Sequence, residues 1–243
     1  MAAMRFASHA LTHIGLVRRR NEDAFLDRPE RGLWAVADGM GGHEAGDFAS
    51  SHIVAALDEV APPSDLAEFE RASLARLRDV DAELRARAAM LGPAATIAST
   101  VVVLLANQHE YRCLWAGDSR VYRWRGGDLS RLTTDHSRVQ ELVDAGLLSP
   151  EGAAHHPDRN IVTQAIGGGR LEFGQVDGAV EPGDRFLLCS DGLTNMVSDA
   201  EIAHGLGAAA VPADTTGRLL DLVLARGAHD NVTIVIVAAE LAD

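Results

Sequence analysis

Four short apolar segments of this sequence carry an aspartate at one end, and this pattern restricts the fold more than any other feature. Three segments end on the acid, at Asp38, Asp118 and Asp191, and the fourth begins directly after Asp230. One such aspartate by itself is typical of a turn or a helix cap. If the four strand ends converge, however, the carboxylates repel one another unless cations neutralise them. The pattern therefore predicts a metal site at one edge of a sheet structure.

The residues beside these acids favour a hard divalent cation. Glycines follow Asp38 and Asp191 directly, and the segment after Asp38 reads Gly-Met-Gly-Gly-His. Because glycine has no Cβ, the main-chain oxygens beside it can come close to an ion. Because Mg²⁺ and Mn²⁺ prefer carboxylate, carbonyl and water oxygens, we interpret residues 36–47 as part of a metal site. A tight turn without a metal is the alternative.

A second charged segment, residues 17–25, sets three arginines against Glu22 and Asp23. One interpretation is a solvated turn. The other assigns one arginine to a phosphate group, because the planar guanidinium binds phosphate through two parallel hydrogen bonds. The two acids would then orient that arginine or hold metal-bound water. These residues by themselves leave both interpretations open.

The order of periodic segments indicates an α+β fold. Apolar residues recur at helical spacing after Ala45 and again after Asp65, which precedes Glu68 as in a capping box. Short strands joined by tight turns follow, with a hairpin predicted at Gly126-Gly127. Strands in hairpin-connected groups and helices in pairs differ from βαβ alternation. Central strands that are apolar on both faces therefore predict two packed antiparallel sheets with helix pairs outside them.

Charge and composition argue against several kinds of partner. The chain has 22 arginines and no lysine against 35 aspartates and glutamates, a net charge of −13, and no basic tract typical of nucleic-acid binding. No apolar run is long enough to cross a bilayer, and the N-terminal residues lack the order of a signal peptide. We therefore expect a cytoplasmic protein without nucleic-acid or membrane partners. Cys113 and Cys189 are too few for a disulfide scaffold.

Eight segments, in order from about Thr12 to Val237, resemble the motifs of the metal-dependent serine/threonine protein phosphatases, the protein phosphatase 2C family. One such segment has little weight, whereas eight in order at family-like spacing are specific. The form Asp-Gly-Met-Gly-Gly-His is similar to the compact bacterial branch of the family. The matching segments are VRRRNED, VADGMGGHEAGD, STVVVLL, AGDSRVYR, LTTDHS, NIVTQAIG, LLCSDGL and DNVTIVIV.

The resemblance implies a fold and an activity. The fold is a four-layer αββα sandwich of the α+β class, with two packed antiparallel sheets flanked by helix pairs. Residues 1–243 would form a single catalytic domain, with a flap segment at about residues 137–166 over the site. The implied enzyme is a phosphoric monoester hydrolase that removes phosphate from phosphoserine and phosphothreonine of proteins. The attacking group would be a metal-bridged hydroxide at a binuclear centre.

The cofactors implied by the resemblance are two Mn²⁺ or Mg²⁺ ions. Asp38 matches the acid that bridges them, and Gly39 matches the residue that supplies a carbonyl oxygen. Asp191 and Asp230 match acids that bind one of the pair. Asp118 matches the acid that, together with Asp191, holds a third and weaker metal in bacterial relatives.

Three further residues match positions around the metals. Arg18 lies four residues before Glu22, as the phosphate-binding arginine of the family does, and would stabilise charge on the phosphate oxygens. Glu22 and Asp23 match acids that act on the metals directly or through water. The implied partners are phosphorylated proteins, with a serine/threonine kinase and its targets among them, and we expect a monomer.

The sequence departs from the family pattern at Met40. Many eukaryotic members have a histidine at this position, which is proposed to protonate the leaving group. Here His43, His156 or a metal-bound water could take that role, and His43 is our candidate general acid.

Two other functions are compatible with the same core motifs. One is a metal-dependent phosphatase of a small phosphorylated molecule, because the motifs contact only phosphate and metal. The other is a non-catalytic phospho-binding module of the same fold. That module predicts lost metal ligands, whereas every matched ligand is present in this sequence.

Overall fold

The computed structural model describes residues 4–41, 45–63, 65–153, 155–208 and 211–242. The strands in these residues are β1 (Met4–His13), β2 (Asp23–Arg28), β3 (Leu33–Gly41), β4 (Ile97–Ser99), β5 (Val101–Ala106), β6 (Glu110–Ala116), β7 (Arg120–Arg125), β8 (Asp128–Arg131), β9 (Gly174–Ala179), β10 (Arg185–Cys189) and β11 (Val232–Leu241). The α-helices are α1 (Ala45–Asp58), α2 (Leu66–Leu91), α3 (Arg138–Asp144), α4 (Pro150–Ala153), α5 (Asp191–Thr194), α6 (Asp199–Ala208) and α7 (Pro212–Ala225).

The strands form two antiparallel sheets. The first sheet has the order β1-β11-β10-β7-β8, and the second has the order β2-β3-β5-β6-β9, with β4 paired to β3. β1 lies along β11 from Met4 opposite Leu241 to His13 opposite Val232. Every residue of the central strand β5 is buried, as expected for a strand covered on both faces.

Three apolar cores join four layers of secondary structure. The core between the two sheets contains Trp34 and Phe186, both fully buried. A second core, which includes Leu77, packs α1 and α2 against the outer face of the second sheet. A third core, which includes Leu219, packs α6 and α7 against the outer face of the first sheet. The layer order helix, sheet, sheet, helix is the predicted one.

Local sequence signals explain two of the element boundaries. The Asp65 carboxylate accepts a hydrogen bond from the Ala67 N–H at 2.9 Å and caps α2, as the capping pattern predicted. Gly126 and Gly127 connect β7 to β8 in a two-residue hairpin, also as predicted. Their φ angles are +60° and +104°, a conformation that glycine adopts without steric cost.

Strands β1 and β2 were not predicted from the periodicity of the sequence. Their side chains are mostly half-buried rather than clearly apolar on one face. The flap segment contains the two short helices α3 and α4. Between them the chain turns at Gly146, whose φ is +69°. In the described ranges no helix is both long enough and apolar enough to cross a membrane.

Candidate metal centre and phosphate site

The predicted acids come from both sheets. Asp38 lies near the end of β3, opposite Asp23 of β2 in the antiparallel register. Asp118 lies in the turn between β6 and β7, and Asp191 begins α5 directly after β10. Asp230 precedes β11, the neighbour of β10. The sandwich therefore brings acids from four separate chain segments to one rim.

The electrostatic effect of this arrangement is strongest at Asp38. Loss of hydration raises its pKa well above the ordinary value, and the charges of Asp23, Asp191, Asp118 and Asp230 raise it further. Asp191 also has a raised pKa, because of its lost hydration and then the charge of Asp230, and it shares a hydrogen bond with Asp38. Without a cation, acids this close retain protons that isolated carboxylates lose.

Asp118 and Glu22 belong to the same electrostatic cluster. Loss of hydration raises the pKa of Asp118 to about 7, with further contributions from the charges of Asp191 and Asp135. Loss of hydration also raises the pKa of Glu22, with the charge of Asp47 as the next cause.

Asp23 is the most enclosed acid of the group, and 9% of its surface is exposed. Its Oδ2 accepts hydrogen bonds from the hydroxyls of Ser190 and Thr233, both at 2.7 Å. Its Oδ1 is buried and has no hydrogen-bond partner among the described residues. Burial raises the pKa of Asp23 to about 7, although the two hydroxyl bonds lower it. A buried carboxylate oxygen without a donor is suited to a cation or to water held by one.

The backbone at Gly39 passes very close to its neighbours. A Cβ at this position would lie 2.0 Å from the Gly46 carbonyl oxygen and 2.6 Å from the Glu22 carbonyl oxygen. The Gly39 N–H donates to that same Glu22 oxygen at 3.0 Å. The sequence interpretation of this glycine as a point of close main-chain approach is therefore consistent with the geometry.

Arg18 contacts an acid of the cluster. Its Nη2 donates to Asp230 Oδ2 at 2.6 Å, and about half of its side chain is exposed. This bond is the main cause of the raised pKa of Arg18. The sequence analysis assigned Arg18 to phosphate and Asp230 to metal, and did not foresee this ion pair.

Hydroxyl side chains that the sequence analysis did not single out connect the acids. Thr100 accepts a hydrogen bond from the Asp38 N–H at 3.2 Å, and its own N–H donates to the Asp38 carbonyl at 2.9 Å. The Thr100 hydroxyl is 2.8 Å from that of Ser119, the residue after Asp118. Ser99 also donates to the Asp38 carbonyl, at 2.9 Å. The available signal was the place of Ser99 and Thr100 in the motif STVVVLL and of Ser119 directly after Asp118 in the motif AGDSRVYR.

A cleft of about 730 Å³ opens beside three of the acids. Its lining includes Arg18, Asp118, Asp191, His229 and Asp230. The lining also includes residues of β8 and of the flap segment, namely Arg131, Ser137, Val139, Gln140, Pro150, Ala153, Arg159 and Asn160. Residues of the flap segment therefore line the same cleft as Asp118, Asp191 and Asp230.

The base of the flap segment is hydrogen-bonded beside the acids. Ser137 pairs with Val162 across the two ends of the segment. The N–H of His136 donates to the Gly117 carbonyl at 2.9 Å, and the Thr163 N–H donates to the His136 carbonyl at 2.8 Å. The turn that holds Asp118 is thus fixed to both ends of the flap segment.

The donor chemistry of the cluster fits hard divalent cations, whereas its present arrangement is not that of a complete site. The candidate ligands are carboxylates and the carbonyl of Gly39, the oxygen types that Mg²⁺ and Mn²⁺ prefer. Within the described part of the chain, no three His, Cys, Asp or Glu side chains are placed to hold a metal ion by themselves. In this arrangement Asp230 is paired with Arg18, and Asp38 is hydrogen-bonded to Asp191.

Of the two candidate general-acid histidines, the structure describes only His156. His43 lies outside the described residues. His156 accepts a hydrogen bond from the Asp158 N–H at 3.1 Å in a turn of the flap segment, and it does not line the cleft. Met40 continues β3 and pairs with Ala98 of β4.

Comparison with known families identifies the chain. The family described as Protein phosphatase 2C matches residues 17–218. The chain therefore belongs to the protein phosphatase 2C family, and the resemblance stated from its motifs is confirmed.

Two curated relatives show the extent of the similarity. Serine/threonine protein phosphatase PstP of Mycobacterium tuberculosis is 38% identical over 226 residues, which cover 91% of this chain and 43% of PstP. The chain thus spans less than half of that relative. Protein phosphatase PhpP of Streptococcus pneumoniae is 37% identical over 240 residues, which cover 94% of this chain and 95% of PhpP.

Solved structures agree with the fold described above. PppA, a regulatory component of T6SS in Pseudomonas aeruginosa, has a TM-score of 0.91 at 44% identity and covers 98% of this chain and 100% of its own. The catalytic domain of PstP in complex with two manganese ions has a TM-score of 0.85 at 35% identity, with coverage of 98% and 99%. The predicted fold class is confirmed.

Proposed function

We propose that this protein hydrolyses phosphoserine and phosphothreonine on proteins at a binuclear Mn²⁺ or Mg²⁺ centre. The observation that carries the proposal is the convergence of acids from both sheets at one rim of the sandwich, where burial and neighbouring charges raise the pKa values of Asp38 and Asp191. Such a cluster is costly for a fold unless cations compensate its charge. The phosphatase names of the relatives and the two manganese ions of the PstP catalytic domain support the same assignment.

The proposed ligands of the two metals are Asp38, the Gly39 carbonyl, Asp191 and Asp230. Metals at such a centre supply an activated water as nucleophile and reduce the negative charge of the phosphate. The role of the protein in this proposal is to hold the ligand oxygens in place. Thr100 and Ser99 fix the main chain of Asp38, and Asn195 donates to Asp191 Oδ2 at 3.0 Å.

Arg18 is the proposed phosphate-binding residue. The bond to Asp230 uses Nη2, and a guanidinium has five N–H donors in one plane. Arg18 therefore has donors to offer to phosphate oxygens while Asp230 restrains its position. Its charge stabilises the additional negative charge on those oxygens as the phosphorus–oxygen bond to the substrate breaks. Glu22 and Asp23 orient water around the metals in this proposal.

Several finer assignments belong to the same proposal. Asp118 and Asp191 hold a third, weaker metal. Residues 1–243 form one catalytic domain with the flap segment over the site, and the protein acts as a monomer. Its location is cytoplasmic, and a serine/threonine kinase and the targets of that kinase are its partners in bacterial signalling. His43 is retained as the proposed general acid.

The test is phosphate release from a phosphothreonine peptide with Mn²⁺, with EDTA, and with Asp38→Asn plus Mn²⁺. We expect activity that requires Mn²⁺ and falls by at least about 10³-fold in the variant, because the variant replaces a carboxylate oxygen of a proposed metal ligand with an amide nitrogen. Asp79→Asn, which changes an exposed acid of α2, is the matched control and should retain activity.

Two other results would replace the proposal. Turnover of a small aryl phosphate without any turnover of phosphopeptides would identify a small-molecule phosphatase. If folded protein with Mn²⁺ releases phosphate from neither substrate, the chain is a phospho-binding module of this fold.

A further inference from the structure

The loop that carries Arg18, residues 14–22, has little structure of its own. It contains no helix or strand and lies between β1 and β2. Two of its contacts are with the segment before β11: the Leu16 N–H donates to the Ala228 carbonyl at 2.8 Å, and Gly15 has no space for a Cβ beside the Asp230 carbonyl. The position of Arg18 therefore depends on what holds this loop to that segment.

The side chain of Asn231 is the main connection. Its Nδ2 donates to the carbonyls of Ile14 and Arg20, both at 2.9 Å. Its Oδ1 accepts from the Glu22 N–H at 2.8 Å. Asn231 is 5% exposed, so these bonds are protected from water. One amide group thus uses both donor hydrogens and its oxygen to hold three points of the loop, on both sides of Arg18.

The main chain of Asn231 acts on the partner of Arg18. Its N–H donates to Asp230 Oδ1 at 2.8 Å, and Asp230 Oδ2 accepts from Arg18. The same residue therefore orients the Asp230 carboxylate through its backbone and the Arg18 loop through its side chain. A side-chain substitution removes only the second of these connections.

We infer that Asn231 is a positioning residue that holds the Arg18 guanidinium where it meets the substrate phosphate. The inference rests on the proposed function, because it assigns Arg18 to phosphate. Asn231 itself touches neither phosphate nor, through its side chain, Asp230. Its role is to place the loop, and it acts on the reaction only through Arg18.

The inference has a measurable consequence. A displacement of about 1 Å in a positioning group lowers a rate by up to roughly 10²-fold. Asn231→Ala removes all three side-chain bonds, and Asn231→Asp keeps the oxygen near Glu22 while it loses both donors to the carbonyls. Both variants should lower kcat/KM for a phosphothreonine peptide by roughly 10- to 100-fold.

A double-mutant cycle separates this role from a structural one. Residues that act as one unit give non-additive effects. In an Arg18→Ala background, Asn231→Ala should change kcat/KM by less than about threefold. Effects that multiply in the double variant would overturn the inference. If Asn231→Ala does not fold, Asn231→Asp is used for the same cycle.

A second measurement reports on the loop without catalysis. Trypsin cleaves after Arg18, Arg19 and Arg20, and a released loop is cut faster. In the folded, metal-free protein, Asn231→Ala should increase cleavage in this loop by at least about tenfold, because protection follows local opening. Asn107→Ala, in the β5–β6 turn, is the matched control and should leave the cleavage rate unchanged. An unchanged rate in Asn231→Ala would overturn the inference.

Metal binding distinguishes the remaining explanation. The Mn²⁺ concentration that half-maximally stabilises the protein against heat should differ by less than about twofold between wild type and Asn231→Ala, because the bond to Asp230 is made by the backbone. A tenfold increase in that Mn²⁺ concentration would show that the Asn231 side chain acts on the metal ligand Asp230 rather than on the Arg18 loop. Wild-type protein without phosphatase activity would contradict the proposed function. The trypsin assay would still test whether Asn231 holds the Arg18 loop, because it does not depend on catalysis.

Discussion

At Gly39 the main chain passes so close to its neighbours that a single methyl group has no room. Glycine has no Cβ, so main-chain atoms can approach one another this closely. The glycine after Asp38 was interpreted from the sequence as a device for this purpose, but the neighbours it approaches, Gly46 and Glu22, come from other elements. The glycine is therefore visible in the local sequence, whereas the reason that glycine is required lies in the tertiary structure.

Gly39→Ala should destabilise the protein by about 1–3 kcal/mol, because a Cβ would lie 2.0 Å from a carbonyl oxygen. Thermal unfolding with and without Mn²⁺ measures the effect, and we also expect weaker stabilisation by Mn²⁺. The control is Gly217→Ala in α7, where a Cβ meets no atom within 4 Å. That variant should be more stable by roughly 0.5–1 kcal/mol, because alanine favours a helix over glycine. Equal melting temperatures for the two variants would contradict the argument.

The chemistry of the site residues was more predictable than their partners. Asp38, Asp118, Asp191 and Asp230 were selected by their place at strand ends. The fold brings Asp118, Asp191 and Asp230 to one cleft, and their charges also act on Asp38. The pairing of Arg18 with Asp230 joins residues 212 apart in the chain, and no local pattern reveals such a contact. The same is true of Asn231, whose neighbour Asp230 was selected while its own amide was not.

Among the elements, helix α2 has a function beyond packing. Asp81 is 3% exposed and accepts from the Gly167 N–H at 2.8 Å, directly after the flap segment. Arg85, one turn further along α2, bonds to Asp81 and donates to the Gly169 carbonyl. Ile166 exchanges two hydrogen bonds with Ser99, the residue that also contacts the Asp38 carbonyl. The end of the flap segment is thus fixed to both α2 and the acid-bearing rim.

Asp81→Ala should free this end of the flap segment. Loss of the carboxylate leaves the Gly167 N–H without its partner, which costs about 1–3 kcal/mol. Hydrogen exchange should become faster at residues 165–169 and in the flap segment, while exchange in the β5 core is unchanged. Asp79→Ala, an exposed acid of the same helix, is the control. If the two variants exchange alike, α2 does not fix the flap segment.

The elements divide into those set locally and those set by pairing. The Asp65 cap and the Gly126-Gly127 hairpin follow from local signals, and both predictions are confirmed. Strand β1 was not predicted, because its alternation of small and polar residues has no clear apolar face. Its pairing with β11 along its whole length makes it a strand. Edge strands of this kind depend on a neighbour that is distant in the sequence.

For the whole molecule, the closure of two sheets around one core has an electrostatic cost. It places acids from both sheets at one rim, where burial and mutual repulsion raise several of their pKa values. A fold with such a cluster is less stable when the acids ionise without a counter-charge. Its stability should therefore depend on pH and on metal together.

The metal-free protein should become less stable between about pH 5 and pH 8. The pKa values of Asp23 and Asp118 rise on folding from 3.8 to about 7, so the folded state binds more protons than the unfolded state in this range. Stability falls with pH wherever the folded state binds more protons. The contribution is complete below the unfolded pKa and is lost as pH rises through the folded pKa. Thermal unfolding in EDTA across this range measures the effect.

Two comparisons test the assignment of that pH dependence. Asp118→Asn removes one of the titrating groups and should flatten the curve, whereas Asp79→Asn should leave its slope unchanged. Mn²⁺ should also reduce the loss of stability, because cations balance the ionised acids. A melting temperature that rises from pH 5 to pH 8 in EDTA would contradict the interpretation.

The sequence alone determined the layered fold class and the family, and it predicted an oxygen-rich site, because hydrophobic periodicity and short motifs are local properties of the chain. Only the tertiary structure decided which groups meet. The Arg18–Asp230 ion pair, the three bonds of the Asn231 amide and the attachment of the flap segment to Asp81 each join residues far apart in the chain. Such contacts depend on how the two sheets close around their core, which fixes the distances between side chains that the sequence leaves free.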